Sequence, residues 1–151
     1  MPADTPSPDR SREKATARVE AYQDRLEKAI ASSRTAYDTA FDDPPAGVGA
    51  HEIDLSMVLK RVNSGELGLL GYPREQMVGR RVTDLIVMEE ASKRAIEKKF
   101  AGTMELKPFV RTFRRADGTP VTLLLLDRHL KDVQGRVVGI RSVMTEIDAW
   151  S

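Results

Sequence analysis

The chain of 151 residues contains no cysteine. Disulfides, thiolate nucleophiles and cysteine-bound metals are thereby excluded, and the absence is compatible with a cytoplasmic location. An excess of either charge is also missing. With 24 basic and 23 acidic side chains the net charge is +1, so bulk charge implies no nucleic-acid partner. No apolar run approaches the ~20 residues that span a bilayer, so no membrane contact is expected of this chain. Residues Met1 to Arg10 are polar and proline-rich, without the apolar core of a signal peptide. Catalytic patterns are lacking as well. There is no Ser-His-Asp arrangement, phosphate loop or glycine-rich nucleotide turn, and an enzyme is not expected. The paired acids Asp42-Asp43 and Glu89-Glu90 read as helix caps and solvated faces.

Between Asp9 and Phe41 glycine and proline are both absent, and Ala, Glu, Arg and Lys abound. Residues 1–8 read as a disordered tail. Ser7-Pro8 is a good helix start, with Asp9 near the positive end of the dipole. The spacing predicts a helix over 9–42, about 50 Å long at ~1.5 Å per residue. One heptad stripe holds Val19, Tyr22, Leu26 and Ala29, then Ser33, Ala36 and Ala40. A competing stripe holds Leu26, Ile30, Tyr37 and Phe41. Two readings follow: a dimerising signalling helix whose seam is Val19, Tyr22, Leu26 and Ala29, or a single helix lying over the sheet. On the first, deleting everything before Pro44 should weaken a homodimer and leave the remainder folded.

Residues 43–50, with Pro44-Pro45 and then Gly47 and Gly49, read as a linker. A domain over 51–148 follows. Two short strands lie around Ser56, with Ile53 and Leu55 alternating in the first. Helical spacing covers Ser64 to Leu70 and Pro73 to Met77, and Val82 to Ile86 is short and apolar. In a helix from Met88 to Phe100, Ala91, Ala95, Ile96 and Phe100 face inward, while Lys93, Arg94, Lys98 and Lys99 form a solvated face. Three strands close the chain, with Asp117-Gly118 and Asp132 to Gly135 as their turns. Val121, Leu123 and Leu125 share one strand face, and Thr122, Leu124 and Leu126 the other. The expected fold class is α+β: a five-stranded antiparallel sheet with short helices on one face, preceded by a long N-terminal helix.

The order Val62-Asn63, Leu70-Gly71-Tyr72, Met77-Val78-Gly79-Arg80, Phe113 to Gly118, Asp132 to Gly135, Val138-Gly139-Ile140 and Thr145 to Asp148 resembles the PAS sensory domain. The resemblance implies structural roles for Asn63 as a helix cap, Gly71 and Tyr72 between the small helices, Gly79 in the next turn, and Asp117, Gly118, Gly135 and Gly139 around the hairpins. It implies a ligand pocket between the sheet and the helix ending at Phe100, lined by Ile96, Phe100, Phe113, Leu123, Leu125 and Ile140. Thr145-Glu146-Ile147-Asp148 resembles the exit toward an output helix, with its acid, isoleucine and hydroxyl in a different order.

Haem and flavin are not expected. The Met88–Phe100 helix carries no histidine, the flavin-binding cysteine of light sensors is missing, and the strands offer Leu123 to Leu126 where polar residues would be needed. A small-acid sensor would need inward cations, for which Arg111, Arg128 and Arg141 are candidates. His51 and His129 read as packing or surface residues, and no metal site is expected. The resemblance implies a bacterial sensory module of two-component type that senses a small ligand or partner. It would form a homodimer through its N-terminal helix and regulate a histidine kinase or diguanylate cyclase outside this chain. The alternative is a ligand-free module for oligomerisation. The chain stops soon after the exit motif and is expected to be a piece of a larger protein.

Overall fold

The computed structural model describes residues 8–147. Helices α1 (Pro8–Ser32) and α2 (Arg34–Phe41) come first. Strands β1 (Val48–Asp54) and β2 (Leu59–Val62) follow, then helices α3 (Ser64–Leu70) and α4 (Arg74–Met77). A 3-10 turn at Val82–Leu85 leads to α5 (Glu89–Phe100) and to strands β3 (Phe109–Arg114), β4 (Pro120–Lys131) and β5 (Val137–Glu146). The five strands form one antiparallel sheet in the order β2-β1-β5-β4-β3.

Local chemistry sets the boundaries. The Asn63 Oδ1 accepts from the Glu66 N–H at 3.2 Å and caps α3, and it also accepts from the Ala50 N–H at 2.9 Å. Gly71 ends α3 in the left-handed region at φ 77°, where a side chain would be strained. The Asp117 Oδ1 accepts from the N–H and hydroxyl of Thr119, at 2.9 and 2.6 Å, and closes the β3–β4 turn. Those bonds hold its carboxyl below the ordinary carboxylate value. Asp132 does the same between β4 and β5, accepting from the N–H groups of Gln134 and Arg136.

Helices α3 and α5 cover one face of the sheet, called here the inner face. Its core joins Leu59, Val62, Leu70, Met77, Ile96 and Leu125. Helices α1 and α2 cover the outer face. There Val19, Tyr22, Leu26, Tyr37 and Phe41 pack with Val48, Ala50, Leu124, Leu126 and Val143. The Tyr22 hydroxyl donates to the Ala40 carbonyl at 2.7 Å, and burial pushes its pKa up to about 12.

Several expectations need correction. The N-terminal helix is not continuous. Ser33 is extended, at φ −168° and ψ 162°, and its Oγ accepts from the Ala36 N–H at 2.9 Å, so a serine that could cap starts a second helix. Val19, Tyr22 and Leu26 are not free for a dimer seam. The chain's own sheet buries them to 2% exposure or less, with Ala29 packed beside them. The physical reason is that Leu124, Leu126 and Val143 make the outer face apolar, and it needs a cover. The linker is shorter than 43–50, because Val48 already pairs with Thr145 in β1. Leu55 lies beyond β1 and is exposed. The tail through residue 7, with the Ser7 cap, lies outside the described residues, as does Asp148 of the exit motif. Among the described residues no helix is long and apolar enough to cross a membrane.

Because α1 completes the core, deleting residues before Pro44 should unfold or aggregate the domain. The milder Leu26→Ala change should cost about 2–5 kcal/mol by urea denaturation, as for a fully buried leucine. A loss under about 1 kcal/mol would place Leu26 outside the core.

Candidate functional site on the inner face

Strand alternation decides which residues meet α5. In β3 the inner positions are Phe109, Arg111 and Phe113, registered opposite Leu125, Leu123 and Val121. In β4 they continue through Asp127 and His129, which pair with Ser142 and Ile140 of β5. The inner face therefore has an apolar end and a polar end.

The apolar end holds the positions expected to line a pocket. Ile96, Phe113, Leu123, Leu125 and Ile140 are each buried to 2% exposure or less in one cluster, and Phe100 packs partly buried against it. These side chains fill the space between helix and sheet with one another.

At the polar end Lys99 of α5 reaches Asp127 of β4. Its Nζ donates to the Asp127 Oδ2 at 2.8 Å, and the Ser142 hydroxyl donates to the Oδ1 at 2.6 Å. Exposures are 3% for Lys99, 2% for Asp127 and 5% for Ser142. The Lys99 Nζ also lies 3.5 Å from the centroid of the Phe109 ring, and the Arg111 guanidinium stands 4.7 Å from the same ring. The His129 Nε2 is 2.9 Å from the Lys99 carbonyl, one of the last-turn acceptors of α5. Burial pushes the Lys99 ammonium below the ordinary lysine value; Asp127 opposes this and Arg111 adds to it. Burial likewise lowers Arg111, again against Asp127.

Lys99 was expected on the solvated face of α5, with Ala91 inward. The structure reverses both, burying Lys99 and exposing Ala91. A signal was present. Asp127 shares the face of Leu123 and Leu125, so its carboxylate must enter the core and needs a cation. Lys99 follows Ile96 by three residues and so shares its helix face.

A second buried polar pair ties α3 to β1. The His51 Nδ1 is 2.5 Å from the Glu66 Oε1, with 2% and 1% exposure. The Glu66 Oε2 has no hydrogen-bond partner among the described residues. His51 lies within β1, opposite Ser142. Among the described residues no group of three or more His, Asp and Glu side chains is placed to hold a metal.

Of the three arginines weighed for acid sensing, Arg111 faces inward, while alternation puts Arg128 and Arg141 on the outer face. Arg141 is committed to α1: its Nε donates to the Gln23 Oε1 at 2.8 Å and its Nη2 to the Glu27 Oε1 at 2.6 Å. The Gln23 Nε2 in turn donates to the carbonyls of Leu126 at 2.8 Å and Arg141 at 3.1 Å. Sequence reasoning did not single out Gln23.

The motif residues hold loops in place. The Tyr72 hydroxyl donates to the Arg114 carbonyl at 3.1 Å. Gly79, Gly118 and Gly135 have φ of 95°, 86° and 81°. At Gly139 β5 passes so close to β1 that a Cβ would lie 2.2 Å from the Ile53 carbonyl oxygen. In the exit segment the Thr145 hydroxyl donates to the Gly47 carbonyl at 2.9 Å, and Glu146 pairs with Arg115 at 3.3 Å.

A family model described as PAS domain matches residues 48–149. Among solved structures, a PAS domain from Colwellia psychrerythraea superposes with a TM-score of 0.65 at 18% identity, covering 75% of this chain and 95% of that one. The PAS domain of an HTR-like protein from Haloarcula marismortui gives 0.62 at 17% identity, covering 82% and 99%. The PAS domain of a LuxR-family transcriptional regulator from Burkholderia thailandensis, in complex with ethanol, gives 0.59 at 19% identity, covering 75% and 98%. At these identities the likeness is one of fold. No curated protein sequence matches the chain.

Removing one partner of a buried ion pair leaves the other charge uncompensated. Lys99→Met should therefore cost about 3–5 kcal/mol in denaturant titration. The double change Lys99→Met with Asp127→Asn should recover part of that loss. A double variant less stable than Lys99→Met alone would mean that Asp127 does not depend on Lys99.

Proposed function

This chain belongs to the PAS domain family, and from that premise we propose that it is a sensory module. An input at the polar end of the inner face passes through the sheet to α1 and to the end of β5. From there it regulates an output domain of histidine kinase or diguanylate cyclase type, outside these 151 residues. The observation that carries this reading is the position of two neighbouring residue pairs. Asp127 and Ser142 bond to each other on the inner face, while the adjacent carbonyls of Leu126 and Arg141 both accept from Gln23 of α1 on the outer face.

One peptide unit separates each inner side chain from its outer carbonyl. A change in how Asp127 is held tilts those peptides, and the Gln23 bonds convert the tilt into a displacement of α1. Each such bond contributes about 0.5–1.5 kcal/mol net. A few of them match the 1–3 kcal/mol typical of coupling between sites. Thr145, bonded to Gly47, belongs to the same strand as Ser142 and leads toward the chain's exit. The ethanol complex of the Burkholderia thailandensis neighbour supports a small-molecule input for this fold.

A second reading, a ligand-free module for oligomerisation, draws on the filled cluster around Ile96, Phe113 and Leu125. Input at the polar end is compatible with that filling. A homodimer would need a surface other than Val19, Tyr22 and Leu26, which the sheet covers.

Asp127→Asn should shift the Gln23 side-chain amide resonances and the backbone amides of α1 near it in 15N-edited NMR spectra. Shifts confined to α5 and the inner strand positions would contradict transmission through the sheet.

A further inference from the structure

We propose that the polar end of the inner face binds a small organic monocarboxylate, anchored by Arg111 with Lys99 as second cation. The inference rests on the sensory reading above, since it names the class of input. Charge is the first argument. Lys99 and Arg111 stand over the same Phe109 ring, and Asp127 is the carboxylate that acts on both. Two cations to one carboxylate leave a surplus of one positive charge where burial opposes charge. A bound monoanion cancels it.

The second argument is hydrogen bonding. A guanidinium carries five donors in a planar fork. Among the described residues none accepts a hydrogen bond from that of Arg111, which is held over the Phe109 ring instead. The fork matches the two oxygens of a carboxylate. Surroundings select the class. Phe109 and its partner Leu125 are apolar, which suits a short aliphatic tail and disfavours a doubly charged phosphate. Entry is from the β3 side, because β3 is the edge strand and Arg111 and Phe109 are half-buried there, with the buried Lys99 ammonium 3.5 Å from the Phe109 ring centroid. A carboxylate entering there competes with Asp127 for Lys99. It thus acts on the side chain whose neighbouring carbonyl, that of Leu126, Gln23 holds.

The test is a titration of the full chain with sodium propionate, followed by 15N-edited NMR at constant ionic strength, with sodium chloride and sodium phosphate as separate arms. Propionate should give saturable shifts at Phe109 to Thr112 and at Lys99, and chloride should not. Arg111→Gln should weaken propionate binding at least tenfold, and Arg111→Lys, which keeps the charge and loses the fork, by a smaller factor. Should Arg111→Gln fail to fold by circular dichroism, the Arg111→Lys comparison carries the test alone. Equal shifts with chloride, equal affinity for phosphate, or unchanged affinity in the Arg111 variants would overturn the proposal. The ligand-free response of the Gln23 amide to Asp127→Asn reads the sensory reading separately. If that response persists while propionate fails to bind, only the ligand class falls.

Discussion

The leucine block Leu123 to Leu126 governs the architecture. Successive strand residues point to opposite faces, so four consecutive leucines make both faces of β4 apolar. All four are buried to 2% exposure or less. Burying a leucine side chain contributes about 1.5–3 kcal/mol, so neither face can be left to water without a cost comparable to the stability of a small domain. Helices α3 and α5 cover one side. The other side takes α1 and α2, which places Gln23, Glu27 and Tyr22 on the sheet and makes the N-terminal segment part of a second core on the outer face.

The polar groups gain their meaning from that enclosure. Asp127 comes directly after the leucine block, in the strand position that continues the inner face, and so its carboxylate is carried inside. There it is matched by the Lys99 ammonium and the Ser142 hydroxyl. Arg141, one residue from Ser142, is carried to the outer face and matched by Gln23 and Glu27. Such pairs are sensitive points in a fold, because a buried charge deprived of its partner costs far more than a surface one. Asp127 on β4 and Arg141 on the neighbouring β5 place two of them on opposite faces in the middle of the sheet.

Much of this was legible in the residues. Asn63 before Ser64, Gly71 after Leu70 and the Asp-Gly turns announced element ends, because caps and turns are local chemistry. The strands followed from period-two alternation; the family resemblance implied a ligand pocket at Ile96, Phe113 and Leu125, where the side chains instead pack on one another. What escaped depends on tertiary partners. The helix break at Ser33 was hidden because serine both continues and caps helices, and packing on the sheet decided between them. The stripe of Val19, Tyr22 and Leu26 has the same spacing whether it meets another helix or a sheet. The apolar outer face of β4 distinguishes the two. Lys99 read as solvated because its neighbour Lys98 is, and only the inward Asp127 reveals the difference.

The central claim is that the two faces are energetically linked through β4 and β5. A double-mutant cycle between Gln23→Leu on the outer side and Ser142→Ala on the inner side measures that link directly. The account predicts an interaction free energy of about 0.5 kcal/mol or more from denaturant unfolding of the four proteins, because Gln23 bonds the carbonyls adjoining the Asp127–Ser142 pair. Additivity within about 0.3 kcal/mol would show that each face is held independently and would contradict it.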